Sequence, residues 1–385
     1  MELDLLIARG APLLSVKGYA SDDMEHNYRR AKDLSQEHSD SVHQFLAIRG
    51  LWVFHLVRGH LANARSLAED LLALAHREQS SDLLIEAHQT LGSTYFFLGR
   101  FDEARTHLLT AKSLDDPSQH RSQALRFGQD SGITARIMLA RTFWILGEGE
   151  QAEPLAREAM GMARELEHPF NLVFTLVALS WLYSTLRNAK RTLELTDEAI
   201  AVSTQYSFAL GLALATTFQG WALAETGHED GLGTLLHGLA AIRVTGAGLN
   251  STFTLALLAE IYLRHNRIDE GLAAIEEALK LAVTGGELFW HAELLRLKGE
   301  LLLAQSDHSV QAAEECLSDA LKIAHDQHAK MLELRAATSL SRLWRKLNKV
   351  DEATRILHAV YSRFSESSDN LDVIEAKTVL DQLSV

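Results

Sequence analysis

Apolar residues recur along this chain with helical spacing, in pairs of helical stretches joined by short polar turns. Residues 88–117, HQTLGSTYFFLGRFDEARTHLLTAKSLDDP, show the unit best. Gly92 and Ala104 are small where two helices must cross closely, Tyr95 fills the space between them, and Leu108 and Ala111 face the next unit. With Gly92 as anchor, equivalents fall at Ala11, Trp52, Ala140, Ser180, Gly220, Ala259, Gly299 and Ser341, at intervals of 41, 40, 48, 40, 40, 39, 40 and 42 residues. Partners accompany them: Phe143, Ala152, Ala156 and Ala159 follow Ala140, while Tyr262, Gly271, Ile275 and Ala278 follow Ala259. Trp52 is large for an anchor, and Pro12 predicts a kink or a late start in the first helix.

A fixed period of this kind is the signature of a repeat array, and the residue pattern is that of the tetratricopeptide repeat lengthened to about forty residues. The expected fold is all-α: a tetratricopeptide-like right-handed superhelix of about nine antiparallel helix pairs, forming a single array over 1–385. The repeats fall near 1–38, 40–78, 81–117, 129–167, 169–206, 207–246, 248–285, 287–328 and 329–367. A capping helix follows over 370–383, with Leu371, Ile374, Val379 and Leu380 as its apolar stripe. The 48-residue interval leaves a long connection, SLDDPSQHRSQALRFGQDSG, read as a loop that either closes a gap or carries function.

Composition narrows the partners. With 51 acidic and 37 basic side chains the net charge is −14, which repels nucleic-acid phosphates. No stretch is long and apolar enough for a membrane span, the N-terminus lacks the charge pattern of a secretory signal, and the lone Cys316 suits a reducing compartment. The expected location is cytoplasmic. The phosphate-binding loop, dinucleotide fingerprint, zincin motif and nucleophile elbow are all missing from the sequence, so no cofactor and no enzyme activity are expected. Pairs such as His325 with His328 and Glu287 with His291 share helix faces, yet no third and fourth ligand completes a metal site. Cys316 lies among acids that raise its pKa, which argues against a nucleophile. Gly285 and Gly286 are read as the left-handed end of a helix.

In a tetratricopeptide superhelix the first helix of each pair lines a concave groove. Residues one or four after the anchor, or three before it, are expected to project there: Arg49, Arg141, Trp144, Trp181, Trp221, Glu260, Arg296 and Glu300. Tryptophan supplies contact area and arginine forks onto carboxylates, so the wall suits a peptide or a ligand with apolar and anionic parts. The alternative is that the tryptophans pack between neighbouring helices. Trp344 sits at the Tyr95-equivalent position and is assigned to packing.

Several blocks, among them GLWVFHLVRGHLANARSLAEDLL, SQHRSQALRFGQD, FTLALLAEIYLRHNRIDEGLAAIEEAL and LELRAATSLSRLWRKLNKVDEATRIL, resemble the C-terminal tetratricopeptide region of large bacterial regulators. Those regulators join a class III adenylate or guanylate cyclase domain, or a winged-helix regulator, to a signal-transduction ATPase and then to such an array. The resemblance implies a sensing or protein-interaction arm without the catalytic domains. It also singles out the long connection through His120, Arg121, Ser122, Phe127, Gly128, Gln129 and Asp130, with Ser131 where the family often has proline. The expected function is a noncatalytic scaffold in signalling that binds a protein, peptide or small effector in its groove, with neither nucleic acid nor membrane as partner. The alternatives are a detached regulatory region that acts only with cyclase or ATPase domains, and an enzyme using His120, Arg121 and Asp130.

Overall fold

The computed structural model describes the chain apart from residues 18–19, 39, 307–308, 366–368 and 385, and apart from the side chains of 11–12 and 14–17, so the packing of Ala11 and Pro12 lies outside it. Among the described residues the fold is all-α, a tetratricopeptide-like superhelix of nine helix pairs. They are α1 (Glu2–Lys17) with α2 (Asp22–Glu37), α3 (Ser41–Val57) with α4 (Leu61–Glu78), and α5 (Ser81–Phe97) with α6 (Phe101–Leu114). A short helix, α7 (His120–Phe127), precedes α8 (Ser131–Ile145) with α9 (Gly149–Glu165), α10 (Pro169–Thr185) with α11 (Ala189–Tyr206), and α12 (Ala209–Glu225) with α13 (Gly231–Thr245). The remaining pairs are α14 (Ser251–Arg264) with α15 (Ile268–Gly285), α16 (His291–Gln305) with α17 (Val310–Asp326), and α18 (Lys330–Lys346) with α19 (Val350–Tyr361); α20 (Leu371–Leu383) closes the array.

The local rules of the repeat explain each pair. Helices α5 and α6 approach so closely that a Cβ on Gly92 would lie 2.6 Å from Leu108 Cγ. At Gly220 it would meet the backbone nitrogen of Leu235, so only glycine permits the α12–α13 crossing. Seven residues after most anchors the chain takes a left-handed turn, at Gly59, Gly99, Gly147, Arg187, Gly227, Asn266 and Asn348. There Gly99 N donates to Phe96 O and Arg100 N to Tyr95 O, both at 2.9 Å, which satisfies carbonyls left open by the end of α5. Gly286 likewise ends α15 in the left-handed region.

Three expectations are corrected here. Helix α1 begins at Glu2, ten residues before Pro12, so the proline does not delay it. The long connection is not a loop throughout, since its middle forms the helix α7, with Gln123, Ala124 and Phe127 buried. On α20 the packed stripe is Val373, Ala376, Val379 and Leu383, whereas Leu371 and Ile374 face solvent; the inward spacing of three, three and four residues follows the face that meets α18 and α19.

The superhelix also closes on itself. Gly248 N and Leu249 N donate to Val57 O at 2.8 and 3.0 Å, and Leu288 N and Phe289 N to Phe97 O at 2.9 and 3.2 Å. Arg335 Nη2 donates to Thr185 O at 2.8 Å, and α8 packs against α18. Each contact joins one repeat to a repeat four or five further along, so successive turns of the superhelix touch. The accessible surface of 16637 Å² confirms the closure, since a globular monomer of 42.7 kDa exposes roughly 15,000 Å². The first helices of the middle repeats are therefore desolvated on most sides, and all fifteen residues of α8 are buried. Second helices such as α9 and α17 keep a wet outer face.

Candidate functional site

Closure changes what lies on the superhelix axis. Trp144, Trp181 and Trp221 are each 1% exposed, so the expected tryptophan-lined open groove is corrected: these rings form core. Trp181 lies 5.0 Å from Phe253 and 5.8 Å from Trp290 between ring centroids, Trp144 stacks on Trp290 at 6.0 Å, and Phe96 meets Phe289 at 5.4 Å. The helix faces that would line an open solenoid meet the next turn instead, and the buried aromatic area drives that contact. Trp344 is half-buried, and its Nε1 donates to Glu314 Oε1 at 2.6 Å.

Beside this plug lies a cavity of about 180 Å³. Helices α3, α10 and α12 supply apolar walls, including Val53, Val173, Val177 and Leu214, and the 247–250 connection of the next turn closes one side. Polar side chains enter from α5 and α8: Gln89, Ser93, Thr134 and Arg141, joined by Gln129. Arg141 is the only ionisable side chain among the lining residues. It is 6% exposed, and its Nη2 donates to Ala178 O at 2.8 Å while its guanidinium carbon lies 4.7 Å from the centroid of the Trp181 ring. Its Nε has no hydrogen-bond partner. Burial pulls the Arg141 pKa down to about 9.

The other expected groove residues fall into two groups. Arg49 reaches the cavity only through the lining residue Gln129: its Nε donates to Glu86 Oε1 at 2.8 Å and its Nη2 to Gln129 Oε1 at 3.5 Å. Glu86 also accepts from the Ser131 hydroxyl, so Arg49 is held by a buried carboxylate. Further along the axis, Arg296 pairs with Glu293 at 2.8 Å and with Glu300 at 3.6 Å, and Arg335 bridges Glu293 and Asp372 at 3.4 and 2.8 Å. Burial raises the Glu293 pKa, yet Arg296 and Arg335 outweigh it and hold that carboxyl down at about 2. Glu260 belongs to the same neighbourhood, its pKa raised by burial and by Glu293.

The long-connection residues do not converge on a catalytic centre. His120 bonds Asp115 at 3.1 Å, which raises its pKa; Arg121 is exposed; and Phe127 packs 6.3 Å from Phe45. Asp130 caps α8, accepting from Ile133 N at 2.7 Å, while its own N–H donates to Asn171 Oδ1 at 2.8 Å; burial pushes its pKa up to about 6. His325 and His328 also part company, toward Glu333 and Asp102. Glu287 accepts from Asn250 N and Thr252 N across a repeat junction. Burial raises the Cys316 thiol pKa, and Asp319 and Glu315 add to the effect.

Sequence reasoning picked out Arg49, Gln129 and Arg141, and missed Gln89, Ser93 and Thr134. Their signal was polarity inside otherwise apolar first helices, at positions four residues apart on α5 and seven apart between Thr134 and Arg141 on α8.

Two segments, residues 85–117 and 133–158, match models of the tetratricopeptide repeat. A Rap protein complexed with competence and sporulation factor shares the fold at a TM-score of 0.56, with 13% identity and 99% of each chain covered. A signal transduction ATPase with numerous domains that carries a tetratricopeptide repeat sensor, from Pyrococcus horikoshii, gives 0.44 at 13% identity, over 96% of this chain and 55% of that one. An uncharacterized protein of Rhizobium meliloti (strain 1021) is 21% identical over 353 residues, covering 89% of this chain. The present chain spans 33% of that relative's length. No helix among the described residues is long and apolar enough to cross a membrane.

Proposed function

We propose that this chain is a noncatalytic binding module in cytoplasmic signalling, whose site is the axial cavity between successive turns of the superhelix. One observation carries the reading: a largely apolar cavity of about 180 Å³ bounded by α3, α5, α8, α10, α12 and the 247–250 connection. A guest there touches five consecutive repeats and the following turn at once. Repeats otherwise interact chiefly with their neighbours, so such a guest alters the pitch that relates one turn to the next. The fold-level neighbour complexed with competence and sporulation factor supports a binding role. The test is a thermal-shift screen of small apolar molecules and short peptides, repeated on Val177→Phe, which fills the cavity. Hits that vanish in the variant uphold the reading; a screen whose hits ignore the filled cavity refutes it.

A second reading follows from length. A relative about three times as long supports reading this chain as the regulatory portion of a larger regulator, and the resemblance to cyclase- and ATPase-linked arrays suggests the catalytic domains it would serve. Co-expression with the product of an adjacent or in-frame upstream cyclase or ATPase gene tests it: co-purification and a changed turnover support the assignment, and independent behaviour of the two removes it.

A further inference from the structure

Resting on that reading of the cavity, we infer that Arg141 is the receptor for a carboxylate, and that the ligand is a compact apolar group carrying one carboxylate. Arg141 is a guanidinium in the protein core with no carboxylate beside it, whereas Arg49, Arg136, Arg296 and Arg335, comparably buried, each engage one or two. Its protein partners are one carbonyl, a methionine sulfur at 4.0 Å and an indole face, and Nε stays unsatisfied. A buried charge without a counterion is costly, and a fold retains one where a bound group neutralises it. The cavity around it is amphipathic in the matching sense. Gln89, Ser93, Thr134 and Gln129 line it together with Arg141, from α5, α8 and the turn before α8, while valine, leucine and phenylalanine come mainly from α3, α10 and α12. An apolar cavity of roughly 150 Å³ accommodates a benzene-sized guest, so this one seats a single aromatic or short acyl group rather than an extended chain. The chemistry fits both a small apolar acid and the C-terminal residue of a peptide.

The experiment is calorimetric titration of the intact chain with matched pairs: phenylacetate against 2-phenylethanol, butanoate against 1-butanol, and N-acetyl-leucyl-phenylalanine against its C-terminal amide. The acid of at least one pair should bind about tenfold or more tightly than its neutral counterpart, the effect of one charge-assisted hydrogen bond. Arg141→Met should abolish that preference while leaving the neutral compound bound, and Arg141→Lys should keep part of it. A preference confined to the simple acids identifies a metabolite-like ligand, and one confined to the dipeptide identifies a peptide C-terminus. Equal binding of acid and neutral partner to the unaltered protein overturns the role of Arg141 and leaves the cavity reading standing, as does an acid preference that survives in Arg141→Met. Failure of every compound to bind, or binding indifferent to Val177→Phe, overturns both.

Discussion

Replacing Trp181 by alanine separates a closed superhelix from an open one, because the two give the indole opposite environments. In the closed form Trp181 is 1% exposed, ringed by Phe96, Trp144, Phe253, Phe289 and Trp290, with Arg141 over its face. Truncating a fully buried tryptophan costs about 3–5 kcal/mol, the spread reflecting how far the void collapses. Loss of the desolvated cation–π contact adds up to about 2 kcal/mol. On the wall of an open groove the same change stays within roughly 0.5 kcal/mol. Urea unfolding followed by far-UV circular dichroism distinguishes these outcomes. With a denaturant slope of about 3 kcal/mol/M, the midpoint should fall by roughly 1 M or more. Leu125→Ala, at a site 77% exposed, serves as a control that should leave the midpoint in place. A Trp181→Ala midpoint equal to that of the control would refute the aromatic plug.

Two further outcomes follow from local geometry. Gly220→Ala forces a methyl group against the α13 backbone and should destabilise by about 1–3 kcal/mol in the same unfolding assay, whereas Gly233→Ala, with open space around it, should be neutral or stabilising. Burial raises the Glu287 pKa from 4.5 to about 7, so the folded state holds this proton more tightly than the unfolded chain. The resulting stabilisation is complete below about pH 4.5 and is lost as pH rises through about 7. The stability difference between Glu287→Gln and the unaltered protein should therefore move in the variant's favour across that window, and a difference constant with pH would contradict the burial argument.

What could be read in the sequence was whatever is settled within one helix pair. Gly92 against Leu108 is a contact sixteen residues long, and its spacing reappears along the chain. Closure is different in kind. The bonds from Gly248 to Val57 and from Leu288 to Phe97 span 191 residues each, and they depend on a small rotation accumulated over five repeats. No local motif encodes that sum. A hint was present all the same, because VFTLVALSWLYS in α10 is apolar around its whole circumference, and a helix with one wet face has no use for that. The same distinction explains the site: Arg141 was identified from its place in the repeat, but its lack of a counterion is a property of the neighbours that closure brings. The helix α7 was obscured because the period lapses there, although HRSQALRF is rich in good helix formers. On α20 the expected stripe held at Val379 and Leu380 and missed in the first turns, where Leu371 and Ile374 were chosen over Val373 and Ala376.

Amide hydrogen exchange at Gly248, Leu249, Leu288 and Phe289 tests the closed superhelix most directly, because each of these N–H groups lies outside a helix and donates to a carbonyl five repeats away. The four amides should be protected to the same degree as the interior of α5. Exchange at the rate of exposed loop amides would mean that the turns do not touch, and the axial cavity would lose the side that the 247–250 connection closes.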